Sequence, residues 1–161
     1  MTPLFRNGLA VALAVIILDQ ITKLWAVAAL GYATPAPVLP SFNLTLMHNP
    51  GAAFSFLGDA GGWQRWFFLA LATGVSTWLI LWMRGLQVHE RWTGLALALL
   101  LGGAIGNAID RAYLGHVIDF IDLYWGAYHW PAFNIADAAI TVGAILLFVM
   151  TLREGKKDKT A

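Results

Sequence analysis

The sequence contains no cysteine, which excludes disulfides, thiolate metal sites, a cysteine nucleophile and lipid attachment through a cysteine of its own. Charge is also scarce, with 12% of the 161 residues charged against about 25% in a soluble domain. The net charge is +1 from 10 basic and 9 acidic residues, so no basic surface suited to nucleic acid exists, and none is expected as a partner. There is no GxSxG elbow, P-loop, dinucleotide fingerprint or HExxH pair. The four histidines, His48, His89, His116 and His129, lack metal-ligand spacing and read as interfacial or loop residues, so no metal or cofactor is expected. Apolar residues, in contrast, make up 59% of the chain, which excludes disorder and points to a membrane.

A hydrocarbon core about 30 Å thick needs about 20 mostly apolar helical residues. Four segments qualify: Leu9 to Leu30, broken only by Asp19 and Lys23; Trp66 to Met83; Trp92 to Ile109; and Ile135 to Leu152, with Asp137 in its first turn. The expected architecture is an all-α polytopic membrane protein forming a single domain over residues 1–161, with long connections at 31–65 and 111–134. Arg6, Arg84, Arg91, Arg153, Lys156, Lys157 and Lys159 all fall on one side of this arrangement, which places both termini in the cytoplasm and both long connections outside. The first segment has a second reading as a cleaved signal peptide, since Arg6, the run Leu9 to Leu18 and Ala26-Val27-Ala28 imitate its three regions.

In the first connection Phe42, Leu44 and Leu46 alternate with Asn43, Thr45 and Met47, the period of a half-buried strand. His48-Asn49-Pro50-Gly51 reads as a turn and Ala52 to Leu57 as a return strand, so a small extracytoplasmic β-sheet is expected. The second connection carries Tyr113, Phe120, Tyr124, Trp125, Tyr128, Trp130 and Phe133, rings expected at the headgroup level among membrane lipids.

Ionisable groups at membrane depth are costly and therefore candidates for function. Six of the nine acids, Asp19, Asp59, Asp110, Asp119, Asp122 and Asp137, lie in or beside the outward half. Asp19 and Lys23 sit four apart on one helix face, an arrangement that reads first as a buried structural ion pair supporting the site. Gly102, Gly103 and Gly106 offer a close-packing surface, and Asn107, Asp110 and Arg111 then project from one face, either as a capping and ion-pair cluster or as a catalytic group. Asp119 stands in Val117-Ile118-Asp119-Phe120, where a carboxylate is hard to explain structurally; of Asp119 and Asp122, one is open to a purely solvated role. Asn134 is placed as an N-cap with Asp137 at the third helical position, ordinary helix-dipole chemistry taken alone.

Together these segments resemble lipoprotein signal peptidase, the signal peptidase II family of bacterial membrane aspartyl peptidases. The resemblance rests on four motifs in order: Asp19-Gln20-Ile21-Thr22-Lys23; Asn49-Pro50-Gly51-Ala52-Ala53-Phe54-Ser55-Phe56; Gly106-Asn107-Ala108-Ile109-Asp110-Arg111 with Gly115-His116-Val117-Ile118-Asp119-Phe120; and Phe133-Asn134-Ile135-Ala136-Asp137. It implies that Asp119 and Asp137 form a catalytic dyad at the outer surface of the bacterial inner membrane. Asp19, Lys23, Asn49, Gly51, Asn107, Asp110, Arg111, Asn134 and Ala136 would then surround the dyad or position the substrate. It also implies an interfacial helix beside the groove and, as substrate, a diacylglyceryl-modified prolipoprotein cut just before its lipidated cysteine; the expected oligomeric state is a monomer. Two carboxyls close together tend to hold one proton between them, giving a base for water and an acid for the departing amine; the expected proton holder is Asp119.

Two other readings of membrane carboxylates compete with peptide cleavage. A proton-coupled transporter would need acids along a path across the membrane, whereas these cluster toward one face. An assembly subunit would explain the glycine-rich third span but not Asp119.

Overall fold

A computed structural model describes residues 2–51 and 61–157, and it has four helices long and apolar enough to cross a membrane. They are α1 (Pro3–Ala29), α2 (Gln64–Gly85), α3 (Arg91–Leu114) and α4 (Ile135–Lys157). Two ends lie well past the expected spans, and there local capping rather than hydropathy sets the boundary. Thr2 accepts the Phe5 N–H at 3.2 Å and Pro3 occupies the first helical turn, so α1 begins six residues before Leu9. At its far end α3 runs to Leu114 and stops at Gly115, whose φ of 81° places it in the left-handed region that terminates helices.

The central element is α3, with α1, α2 and α4 packed around it; more than half of the residues in its apolar stretch are buried, against less than a quarter in each of the others. The glycine stripe explains this position. A Cβ on Gly102 would meet the Ala12 carbonyl of α1 at 2.8 Å, and one on Gly103 would collide with the Ala136 carbonyl of α4, so glycine lets both backbones approach. Below the stripe, Phe5, Ala12, Leu79, Met83, Leu97 and Leu101 close an apolar core. Leu13, Leu24, Trp78 and Phe148, by contrast, are exposed on the outer surface, as a lipid-facing bundle requires. In this packing α1 is a structural wall of the bundle and carries the buried Asp19 and Lys23, which counts against its removal as a signal peptide.

Where α1 and α3 end and α4 begins lies an antiparallel sheet in the order β1 (Ala36–Leu39), β2 (Phe42–Asn49), β3 (Val117–Trp125), β4 (Tyr128–His129). The alternating Phe42 to Met47 segment is a strand as expected, but its described partners are β1 and β3. The return strand expected at Ala52 to Leu57, and Asp59, lie outside the described residues. A register shift in β2 between Leu44 and Met47 brings Met47 opposite Asp119 and Asn49 opposite Val117. The aromatic connection forms β3 and β4, and among the described residues it contains no interfacial helix; Trp125 and Tyr128 stand exposed at its tip.

Candidate active site

Lys23 is buried and uses all three ammonium protons: on Asp19 Oδ2 at 2.8 Å, Asp110 Oδ2 at 2.9 Å and Asn107 Oδ1 at 3.0 Å. The remaining acceptor sites of the two acids are also taken. Asp19 Oδ1 accepts the Ala136 N–H at 3.0 Å, and Asp110 accepts Gln20 Nε2 at 2.9 Å and the Ile118 N–H at 3.1 Å. One lysine and two acids thereby tie α1 to α3, to the start of β3 and to the first turn of α4. The pair read from the i, i+4 spacing of Asp19 and Lys23 is present, as one part of this larger cluster.

Above this cluster, amides orient two further carboxylates. Because Lys23 and Asn134 both donate to Asn107 Oδ1, the Asn107 amide group faces the other way and donates to Asp137 Oδ1 at 2.7 Å. Asn134 is the N-cap of α4: its Oδ1 accepts the Asp137 N–H at 2.9 Å, and Asp137 Oδ2 accepts the Asn134 N–H at 3.3 Å. With Oδ1 so engaged, Asn134 Nδ2 is directed outward and donates to Asp119 Oδ1 at 2.7 Å. Asp119 Oδ2 accepts Asn49 Nδ2 at 3.2 Å. Asp119 and Asp137, separated in sequence by a strand and a turn, are thus joined through Asn134.

Asp119 is 2% exposed, and burial followed by the nearby negative charge of Asp137 raises its pKa to about 7, against the opposing hydrogen bonds of Asn49 and Asn134. At neutral pH it can hold or release a proton, which an ordinary surface aspartate does not do. Arg111 donates to the Gly51 carbonyl at 2.6 Å and lies 4.8 Å above the Phe68 ring, so it fastens the turn that follows Asn49. Gly51 in turn donates its N–H to Asn49 Oδ1 at 3.1 Å. Ala136 contributes its backbone N–H, and its Cβ packs on Gly106, where an added Cβ would lie 3.3 Å from it.

All eleven residues that the resemblance assigned to the site therefore meet at one end of the bundle. Three participants were not singled out. Gln20, beside Asp19 in the first motif, links Asp110 to the Gly106 carbonyl. Asn43 and Thr45 were legible only as the polar face of β2, and they hold Asp122, with His129, in a cluster of their own. Asp122 is not a solvated acid. Burial opposes its charge, but the hydrogen bonds of His129, Asn43 and Thr45 outweigh that and hold its carboxyl below the ordinary value.

Two grooves meet at the carboxylates. One, of about 760 Å³, runs between α2, α3 and α4 along Phe68, Leu71, Val75, Ala104 and Ile140 to Asp137. The other, of about 570 Å³, lies against the sheet between Thr45, Pro50, Asp119, Asp122 and His129. Asn49 and the segment Trp130 to Ala132 line both.

Four spans, a core sealed below and two carboxylates in an amide frame above define a polytopic membrane protein with a polar site at one end of its bundle. The sequence profile described as Signal peptidase (SPase) II matches residues 11–153, so the chain belongs to the signal peptidase II family and is a membrane peptidase. The lipoprotein signal peptidase of Cupriavidus taiwanensis is 53% identical over 156 residues, 97% of this chain and 87% of that protein. That of Aeromonas hydrophila is 50% identical over 151 residues, 92% of this chain and 90% of that protein. A bacterial membrane enzyme structure obtained by the in meso method at 2.3 Å resolution matches with a TM-score of 0.85 at 32% identity, over 94% of this chain and 90% of that one.

Proposed function

We propose that this peptidase is an aspartyl enzyme that removes signal peptides from diacylglyceryl-modified prolipoproteins, cutting just before the lipidated cysteine. The supporting observation is the amide frame that joins Asp119 to Asp137 through Asn134 where the two grooves meet. In this reading Asp137, with donors from Asn107 and the Asn134 N–H, is the carboxylate that takes a proton from water as the water oxygen bonds to the scissile carbonyl carbon. Asp119, whose raised pKa keeps a proton available, gives that proton to the departing amine as the C–N bond breaks. Transfer of the proton from Asp137 back to Asp119 restores the pair.

The apolar groove suits the lipid-embedded part of the substrate, and membrane anchorage of the acyl chains would position the peptide as well as identify it. The distribution of Lys and Arg favours an inner-membrane orientation with both termini cytoplasmic and the sheet outside. A reporter fused after Gly62 is expected on the outer side; a cytoplasmic reporter would overturn this orientation.

The decisive assay is cleavage of a diacylglyceryl-modified prolipoprotein by wild type, Asp119→Asn, Asp137→Asn and Glu90→Gln, with folding checked for each. Glu90 precedes α3 at the opposite end of the bundle and serves as the remote acid. The two aspartate variants should be inactive and Glu90→Gln active. Cleavage by both aspartate variants would refute the dyad, and equal cleavage of the unmodified precursor would refute the lipid requirement.

A further inference from the structure

Asp122 lies outside the frame around Asp119 and Asp137, yet its side chain is 8% exposed and engages three side chains. Asn43 Nδ2 at 3.2 Å and Thr45 Oγ1 at 3.0 Å donate to Oδ2 from β2, and His129 Nδ1 lies 2.7 Å from Oδ1 on β4. Since Asp122 is held ionised, the proton of this last bond is on His129 Nδ1, and the imidazole also stacks on Tyr124 at 5.2 Å. A single carboxylate therefore links β2, β3 and β4.

Its importance lies in the chain segment just beyond β4. Strand β4 is only two residues long and exposed, too little ladder to fix itself. Immediately after it, the Trp130 N–H donates to the Leu123 carbonyl at 2.8 Å, and three residues later Phe133 pairs with Ile121 through bonds of 2.9 and 3.1 Å. Between these two fastenings Trp130, Pro131 and Ala132 pass over the junction of the grooves and line both of them.

We infer that Asp122 and His129 form a bracket that fixes the Trp130 to Ala132 segment beside the carboxylates, and that they are positioning residues for the peptide threaded from the groove between the helices to the groove against the sheet. The inference rests on the dyad reading of Asp119 and Asp137. Neither member of the bracket belongs to the amide frame of Asn49, Asn107 and Asn134. Loosening the bracket therefore leaves the chemical geometry in place and makes substrate binding pay the ordering of the segment.

The test compares His129→Phe, which keeps a ring on Tyr124 but loses the donor, with His129→Asn, whose amide nitrogen can reach the position of Nδ1. With diacylglyceryl-modified prolipoprotein, His129→Phe should raise KM about tenfold with kcat changed less than about threefold, and His129→Asn should stay near wild type. Because the chain has no cysteine, a nitroxide on Ala132→Cys reports this segment alone. Its mobility should rise in the His129→Phe background and not in His129→Asn. Equal KM and equal label mobility in the two variants, or a fall in kcat at constant KM, would overturn the bracket while an inactive Asp119→Asn leaves the dyad standing. An active Asp119→Asn would instead remove the dyad reading itself. If His129→Phe does not fold, Thr45→Val supplies the comparison: a KM raised about two- to threefold supports the bracket, and an unchanged KM overturns it.

Discussion

Replacing Lys23 by methionine tests whether the charges beneath the site form one closed unit. In the folded protein the ammonium makes three contacts of 2.8 to 3.0 Å, and Asp19 and Asp110 are 0% and 3% exposed. Methionine fills similar volume without charge, which changes the cluster from one net negative charge to two in a place that water does not reach. Removing one partner of a buried pair costs about 3–5 kcal/mol, a large part of the stability of a domain this size. The hydrogen bonds from the Ala136 N–H, the Ile118 N–H and Gln20 survive, so the lower end of that range is expected. Unfolding in detergent, followed by temperature and by denaturant, measures the loss. The sharper test is the pair Asp19→Asn with Lys23→Met, which returns the cluster to one negative charge. The double variant should be more stable than the sum of the two single losses predicts, by at least about 1 kcal/mol. A Lys23→Met loss below about 1 kcal/mol, or simple additivity in the double variant, would refute a closed and dry cluster.

Asn107→Leu removes the donor to Asp137 and the acceptor for Lys23 and Asn134 together; kcat should fall about 10- to 100-fold in the cleavage assay, the equivalent of one hydrogen bond to a charged group. Asp119 has a folded pKa of about 7 against an ordinary 3.8, so the stability tied to its bound proton is full below about pH 4 and is lost as pH rises through about 7. Asparagine does not titrate, and Asp119→Asn should therefore gain on wild type between pH 4 and pH 8 by up to about 4 kcal/mol in unfolding measurements; a constant difference would contradict the raised pKa. Gly103→Val places a branched side chain against the Ala136 carbonyl and Ile140, and should cost about 1–3 kcal/mol or more and lower activity through the displaced start of α4.

The four spans were legible because three of the helices must present apolar side chains to lipid, a requirement that composition alone reveals. Their ends were not, and α3 shows why. Hydropathy leaves the membrane at Ile109, yet the helix continues to Leu114 through Asp110 and Arg111. These residues look like an exit only because their partners, Lys23 on α1 and Gly51 after β2, are more than 50 positions away. The sheet has the same lesson: the alternation of Phe42 to Met47 identified the strand, but pairing with β3 across about 75 residues has no local signature.

Asp137 illustrates how a structural reading and a functional one can both hold. Sequence spacing made it an ordinary first-turn acid, and it is one: its N–H and its Oδ2 complete a capping box with Asn134. The same box fixes Asn134 Oδ1 toward the helix, which leaves Nδ2 aimed at Asp119, and it leaves Asp137 Oδ1 to accept from Asn107. Helix initiation thus sets the relative orientation of the two carboxylates. A cap built with serine at position 134 would still start α4, but its hydroxyl, engaged by the Asp137 N–H, lacks the second arm that reaches Asp119. Asn134→Ser should accordingly retain most of the helix-start stability, within about 1 kcal/mol, and lose most of the peptidase activity. Equal losses of both would mean that the cap and the site are not separable, and that the orientation of Asp119 is set elsewhere.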